Sequence, residues 1–211
     1  MPERSRIVNR IIAGIWKSDN YFSKCSTTAG RGALVLRPKS STLHPRWVGN
    51  MDRKIIDEYE GGGEKLTTAI AGLSPQDLLD LPRSDAGIGL WSIQHVVIHL
   101  LDSDLIGTAR MKSIIAEDHP QILGFDESKF AANLFYELQD VQRAVRMFDL
   151  NRRQFAKVLR KLPDLAFSRT AQHNERGEIT LEQSVHSRIQ HVTHHIKFIG
   201  LKREKLGKPV K

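Results

Sequence analysis

Residues 91–103 read WSIQHVVIHLLDS and residues 190–196 read QHVTHHI, and these two stretches decide the fold. Each sets two histidines four residues apart within an apolar run, His95 with His99 and His191 with His195. Residues four apart lie on the same face of an α-helix, one turn above the other. The pattern therefore indicates two helices of a bundle whose histidines can reach a common ion.

The helical positions of the second stretch separate inward-facing histidines from outward-facing ones. At about 100° per residue, with His191 at zero, His195 lies at about 40° and the apolar positions of the same helix lie at about 80–120°. His194 falls at about −60° and His186 at about 220°. We expect His191 and His195 to border the bundle core and the other two to lie nearer solvent.

A catalytic zinc ion usually has three protein ligands, so a third ligand is needed from the first stretch. His95 and His99 are both candidates, and spacing does not choose between them. Asp102 and Ser103, one turn beyond His99, are candidate oxygen ligands or hydrogen-bond partners. All of these residues are also compatible with helical histidines that bind no metal. The chain has no H-E-x-x-H motif, which disfavours a metalloprotease.

Outside these stretches the spacing of apolar residues predicts an all-α fold, a four-helix bundle. The helices are expected at residues 52–73, 92–117, 137–162 and 181–201. Ser92 is a predicted N-cap, and Thr180 with Gln183 forms a predicted capping box. Gly61 to Gly63 weaken the first helix, which could be broken there. Residues 167–179 are expected to form a turn or a small hairpin.

The positive charge of the chain is concentrated at one end. The 211 residues carry a net charge of +8, of which +7 belongs to residues 1–50 with nine Lys or Arg against two acidic residues. This basic leader has no sustained helical pattern, so we expect it to be poorly structured. It could be a nucleic-acid arm, a targeting segment or an extension upstream of a true start at Met51, and we favour the last. The folded domain is then residues 51–211.

Composition excludes several classes of function. Residues 51–211 carry a net charge of only +1, which disfavours nucleic-acid binding by the domain. No apolar run approaches the roughly 20 residues that cross a bilayer, so we expect a soluble, cytoplasmic protein without a membrane partner. The single cysteine, Cys25, lies in the leader, which rules out a disulfide framework or a site of several thiolates and disfavours a cysteine nucleophile.

The residue pattern resembles one family. The stretch 91–103, the histidines of 191–196, the run GEITLE at 177–182 and FDE at 125–127 are similar to the DinB-like, or bacillithiol-transferase-like, superfamily of metal-binding four-helix bundles. The resemblance covers about residues 51–201. It implies the metal ligands His99, His191 and His195 and a divalent ion, Zn²⁺ or Ni²⁺.

The resemblance also implies a range of activities. Members include thiol S-transferases that use bacillithiol or mycothiol, a thiol-dependent maleylpyruvate isomerase and proteins without an established activity. We therefore expect a low-molecular-weight thiol cosubstrate and a small electrophile as partners; a non-enzymatic stress or detoxification protein and a metal-dependent hydrolase are the alternatives. Arg188, at about 60° on the last helix, is expected either to orient an anionic ligand or to form a surface salt bridge. A homodimer is compatible with the sequence.

Overall fold

The computed structural model describes residues 51–80 and 88–210, so the basic leader and Cys25 lie outside the described residues. The helices in chain order are α1 Lys54–Glu60, α2 Gly62–Ile70, α3 Pro75–Leu79, α4 Ile93–Ala116, α5 Glu127–Asn133, α6 Val141–Lys161 and α7 Leu181–Lys205. Short 3₁₀ helices occupy Tyr136–Leu138 and Asp164–Ser168. The pair α1 and α2 packs on α6 and α7, and α4 packs on the same two helices, so the predicted four-helix bundle is confirmed.

The first predicted helix is divided at Gly61, and its glycines have a packing role. A Cβ at Gly62 would overlap the guanidinium of Arg152 on α6, and a Cβ at Gly63 would overlap the carboxylate of Asp149. Real Cβ atoms do not approach so closely, so only glycine allows α2 to lie this near to α6. The residues that weaken the helix in isolation therefore permit its contact with the bundle.

Capping residues fix where the two histidine helices begin. The Ser92 side chain accepts a hydrogen bond from the backbone N–H of His95, as predicted. Thr180 and Gln183 form the predicted capping box at the start of α7. Each cap satisfies backbone N–H groups that a helix leaves unpaired in its first turn. The caps thereby set the positions of His99 and of His191 and His195 along their helices.

A three-stranded sheet joins the helices at one end. Strands β2 (Thr170–His173) and β3 (Gly177–Thr180) form the expected hairpin, with Ala171 opposite Ile179. Strand β1 (Gln121–Ile122) pairs in parallel with β2. Sequence analysis did not predict β1, because two residues are too few to show an alternating pattern.

The buried apolar side chains form two clusters along the bundle. One cluster joins α2, the first half of α4, the start of α6 and the second half of α7. The other joins α1, the end of α4, the second half of α6, the sheet and the start of α7. Where they meet, α4 contributes Asp104, α6 contributes Arg152 and α7 contributes Arg188. No helix of the described residues is long and apolar enough to cross a membrane.

Candidate metal centre

Three histidines from two helices converge inside the bundle. His99 lies on α4, and His191 and His195 lie on α7. The Nε2 atom of His191 is 3.1 Å from the Nε2 atoms of both His99 and His195. His99 is fully buried and His195 is 7% exposed. The structure thus brings together the three residues that the sequence analysis named as ligands.

This arrangement fits a divalent ion of the kind that imidazole binds. Two nitrogens held by one tetrahedral zinc ion at about 2.0–2.1 Å lie roughly 3.3 Å apart. Two of the three separations, at 3.1 Å, are close to that value, and all three ligand atoms lie within 4.8 Å of one another. The Nδ1 atom of His99 is buried and has no hydrogen-bond partner among the described residues. Three such nitrogens suit Zn²⁺ or Ni²⁺ and leave a further coordination position open.

The three imidazoles are neutral at ordinary pH. Burial lowers the pKa of His99 to about 4, and the nearby Arg188 guanidinium lowers it further. Burial also lowers the pKa of His195 to about 3. The pKa of His191 lies well below its usual value, chiefly through burial and then through Arg188. A neutral imidazole keeps the lone pair that binds a metal, so the protein presents three ready donors.

Aromatic and carboxylate groups surround His99. The Trp91 ring centroid is 5.1 Å from that of His99. The Phe125 ring stacks with the His99 ring, with 6.5 Å between the two centroids. The Oε2 atom of Glu127, half-buried at the start of α5, is 3.6 Å from His99 Nε2. Burial raises the pKa of Glu127, and the neighbouring Asp126 adds to the effect. The site therefore has an apolar wall and one carboxylate beside its donor atoms.

Glu127 was not among the candidate site residues of the sequence analysis. Its only signal was the stretch FDE at 125–127, quoted as part of the family resemblance. Asp126 accepts a hydrogen bond from the backbone N–H of Lys129 and so caps α5. The cap could be read from the sequence, but the proximity of Glu127 to α4 depends on how the helices pack.

The other histidines of the two stretches lie apart from the three. His95 is half-buried, and its Nδ1 atom is 2.8 Å from Ser92 Oγ at the start of α4. His194 and His186 are exposed, as predicted. The contact of His194 with the three converging histidines is a ring contact with His195, with 5.3 Å between the two centroids. Of the two candidates left open by spacing, the structure places His99 with the pair on α7.

Asp102 and Ser103 also have partners away from the three nitrogens. Asp102 accepts a hydrogen bond of 2.6 Å from the Tyr136 hydroxyl. Ser103 accepts hydrogen bonds from Arg188 Nη1 at both its hydroxyl and its backbone carbonyl. Arg188 is only partly exposed and makes no ion pair among the described residues, so the surface salt bridge was a wrong expectation.

The metal-free protein is expected to lose stability as the pH falls below about 6.5. Between pH 6.5 and about 4, His99 and His195 are protonated in the unfolded chain but remain neutral in the folded protein. The unfolded state then holds more protons, so the free energy of unfolding falls as the pH falls. Urea unfolding of metal-free protein from pH 7.5 to 4.5 measures this slope. His194→Ala should retain it, whereas a flat profile in the unaltered protein would contradict the buried neutral histidines.

Known proteins similar to this chain include several that are described as metal-dependent. A family model described as the DinB superfamily matches residues 58–199. A Bacillus mycoides protein named "Putative metal-dependent hydrolase" is 30% identical over 169 residues, which cover 76% of this chain and 92% of the relative. A protein of the same description from Oceanobacillus iheyensis is 27% identical over 144 residues, covering 68% and 81% of the two chains.

The fold is similar to a solved structure as well. YfiT from Bacillus subtilis, described as "a probable metal-dependent hydrolase with an unusual four-helix bundle topology", matches with a TM-score of 0.68 and 26% identity. The match covers 82% of this chain and 94% of that chain. The similarity therefore extends over nearly the whole of the solved protein.

Proposed function

This chain belongs to the DinB superfamily, and we propose that it is a metal-dependent thiol S-transferase, which activates a low-molecular-weight thiol towards a small electrophile. The observation that carries the proposal is the convergence of three histidine side chains inside the bundle, the buried His99 and His195 and the partly buried His191. The ion they would hold is Zn²⁺ or Ni²⁺, since both bind imidazole.

The donor set explains why such a site would favour a thiol. Three neutral imidazoles leave the charge of a divalent ion uncompensated, and an ion of that kind lowers the pKa of a thiol and holds it as the reactive thiolate. Residues 51–211 contain no cysteine. The sulfur would therefore come from a cosubstrate, and the chain's own residues would bind and orient it.

Glu127 has a role in this proposal. Its Oε2 atom lies 3.6 Å from His99 Nε2, close enough to accept the proton that the incoming nucleophile loses. Burial favours the protonated carboxyl, so a proton received at this atom can be held there until release. The rings of Trp91 and Phe125 would limit the access of water on the His99 side.

A metal-dependent hydrolase is the second candidate. The names of the Bacillus relatives favour it, and the same carboxylate could accept a proton from water instead of from a thiol. The two candidates differ in the nucleophile that appears in the product. A non-enzymatic stress or detoxification protein would show a bound ion and no product at all.

We expect the metal-loaded protein to form a thiol conjugate from a haloaromatic electrophile, with release of the halide. Glu127→Gln should slow the reaction by about 10²- to 10⁴-fold because it cannot accept a proton. Mass spectrometry of the product, with a panel of thiols and with water alone, identifies the nucleophile. Glu64→Gln, an exposed change on α2, is the matched control and should leave the rate unchanged. A hydrolysed product without thiol would establish the hydrolase instead, and a bound ion without turnover would overturn both.

A further inference from the structure

A basic cleft lies next to the candidate metal centre. It occupies about 310 Å³ including its open mouth, between α4, the sheet and the first half of α7. Its lining includes three arginines, one histidine and two serines of these elements: Arg110, His173, Arg176, Ser184, Ser187 and Arg188. Most of this volume is open to solvent, so the cleft suits one small polar group of a ligand and not a whole enclosed molecule.

Within the part of the chain that the structure describes, three arginines and no Asp or Glu line the cleft. Among the described residues, neither Arg110, Arg176 nor Arg188 makes an ion pair with an Asp or Glu. Asp104 is near Arg188, but its two oxygens already accept hydrogen bonds from Arg152 and Asn151. Burial lowers the pKa of Arg188 to about 10, and the surrounding arginines act in the same direction. Two carboxylates lie near enough to act on these arginines, Glu175 on Arg110 and Asp104 on Arg188. Three guanidinium groups against two carboxylates leave a net positive potential, which attracts an anion.

The fold holds Arg188 across α4 in a fixed position. A Cβ at Gly107 would lie 2.7 Å from Arg188 Cδ, so this glycine makes room for the side chain. Arg188 Nη1 donates to the Ser103 hydroxyl at 2.8 Å and to its carbonyl at 3.1 Å. Arg152 Nη2 on α6 donates a hydrogen bond of 3.0 Å to the backbone carbonyl of Arg188, which helps to hold the Arg188 backbone in place. Such contacts reduce the entropy that the side chain would lose on binding a ligand.

Arg110 is held on the opposite side of the cleft. Its guanidinium lies over the Phe125 ring, with 5.8 Å from Cζ to the centroid, and donates to the Leu123 carbonyl. The same Phe125 ring stacks on His99. Along α7, Arg188 precedes His191 by three residues, which is roughly 5 Å of helix rise. The cleft and the three histidine nitrogens are therefore neighbouring parts of one region.

We propose that this cleft is an anion subsite that binds a carboxylate group of the substrate or of the thiol cosubstrate. Arg188 and Arg110 would contact the carboxylate, since guanidinium and carboxylate groups match in bidentate geometry, and Arg176 would attract it at the mouth. The proposal deepens the proposed function and rests on it for the role of the bound group, but the binding of an anion here does not require the metal. It predicts substrates with an acid group close to the reacting atom.

The test is the binding of succinate, with uncharged succinamide as the comparison ligand, to metal-free and metal-loaded protein by calorimetry at low ionic strength. We expect Arg110→Gln and Arg176→Gln each to weaken succinate binding about tenfold or more. Arg176 is exposed and makes no hydrogen bond within the described residues, so its replacement should not disturb folding. Arg146→Gln, an exposed change on α6, is the control and should bind as the unaltered protein does.

The outcomes separate this subsite from the metal centre. Retained succinate binding by His191→Ala would support a subsite independent of the ion, even if the transferase activity were disproved. Binding that disappears in His191→Ala, or that requires the loaded metal, would place the anion on the ion and overturn the proposal. Equal affinities in Arg110→Gln, Arg176→Gln and Arg146→Gln, or equal binding of succinamide, would overturn it as well.

Discussion

Replacing His191 with alanine is expected to reduce the bound divalent metal from one ion per chain to near zero after dialysis. The Nε2 atom of His191 is 3.1 Å from the corresponding atoms of both His99 and His195, so it is the member common to both close pairs. Two remaining imidazoles fall short of the three protein ligands that a catalytic zinc site usually has. We expect a loss of affinity above about 100-fold, since even residues that only support ligands contribute about 10- to 100-fold. Elemental analysis and competition with a chromophoric chelator measure it.

His194→Ala is the matched control for this experiment. It removes the same side chain from the same helix, but His194 is exposed and points its ring at the edge of His195 instead of into the group. We expect full metal stoichiometry in this variant. His99→Ala and His195→Ala should lose the ion as His191→Ala does, and retention of one ion per chain in all three would refute the assignment.

The sequence predicts those features of the site that depend on the geometry of a single helix. Spacing placed His191 and His195 on one inward face, which requires only the helical repeat. Spacing did not decide whether His95 or His99 is the third ligand, because residues four apart share a face. The structure separates them by depth, since His95 interacts with Ser92 at the helix start while His99 is fully buried. The burial of each histidine depends on how α4 packs against α7, and the spacing of residues within one helix does not predict that packing.

The same limit explains what was missed in the fold. The apolar periodicity predicted the long helices, but the three glycines after Glu60 were interpreted only as a weakness. Their close contacts with α6 are between residues about 90 positions apart in the chain. Arg152 was likewise absent from the sequence analysis, because an arginine within an amphipathic helix is usually solvated. In the structure it is 1% exposed.

Replacing Arg152 with alanine is expected to lower the free energy of unfolding by about 3–5 kcal/mol, the usual effect of removing one partner of a buried ion pair. Its Nη2 atom lies 2.8 Å from Asp104 Oδ1, and the two side chains are 1% and 2% exposed. Arg152 also donates to the backbone carbonyls of Tyr59 on α1 and Arg188 on α7. The variant would leave a buried carboxylate and two carbonyls without these donors. Urea unfolding of the metal-free protein measures the change.

Arg153→Ala tests whether burial, and not the loss of an arginine from α6, is responsible. Arg153 is the next residue along the helix and pairs with Asp149, but its side chain is 56% exposed. An exposed pair of this kind contributes little, so we expect no resolvable shift in the urea midpoint. The double change Asp104→Leu with Arg152→Met should recover much of the stability lost in Arg152→Ala, because it removes both charges together. Equal urea midpoints for Arg152→Ala and Arg153→Ala would contradict a stabilising role for the buried pair of Asp104 and Arg152. The stability of the bundle would then come from the packing of the two apolar clusters alone.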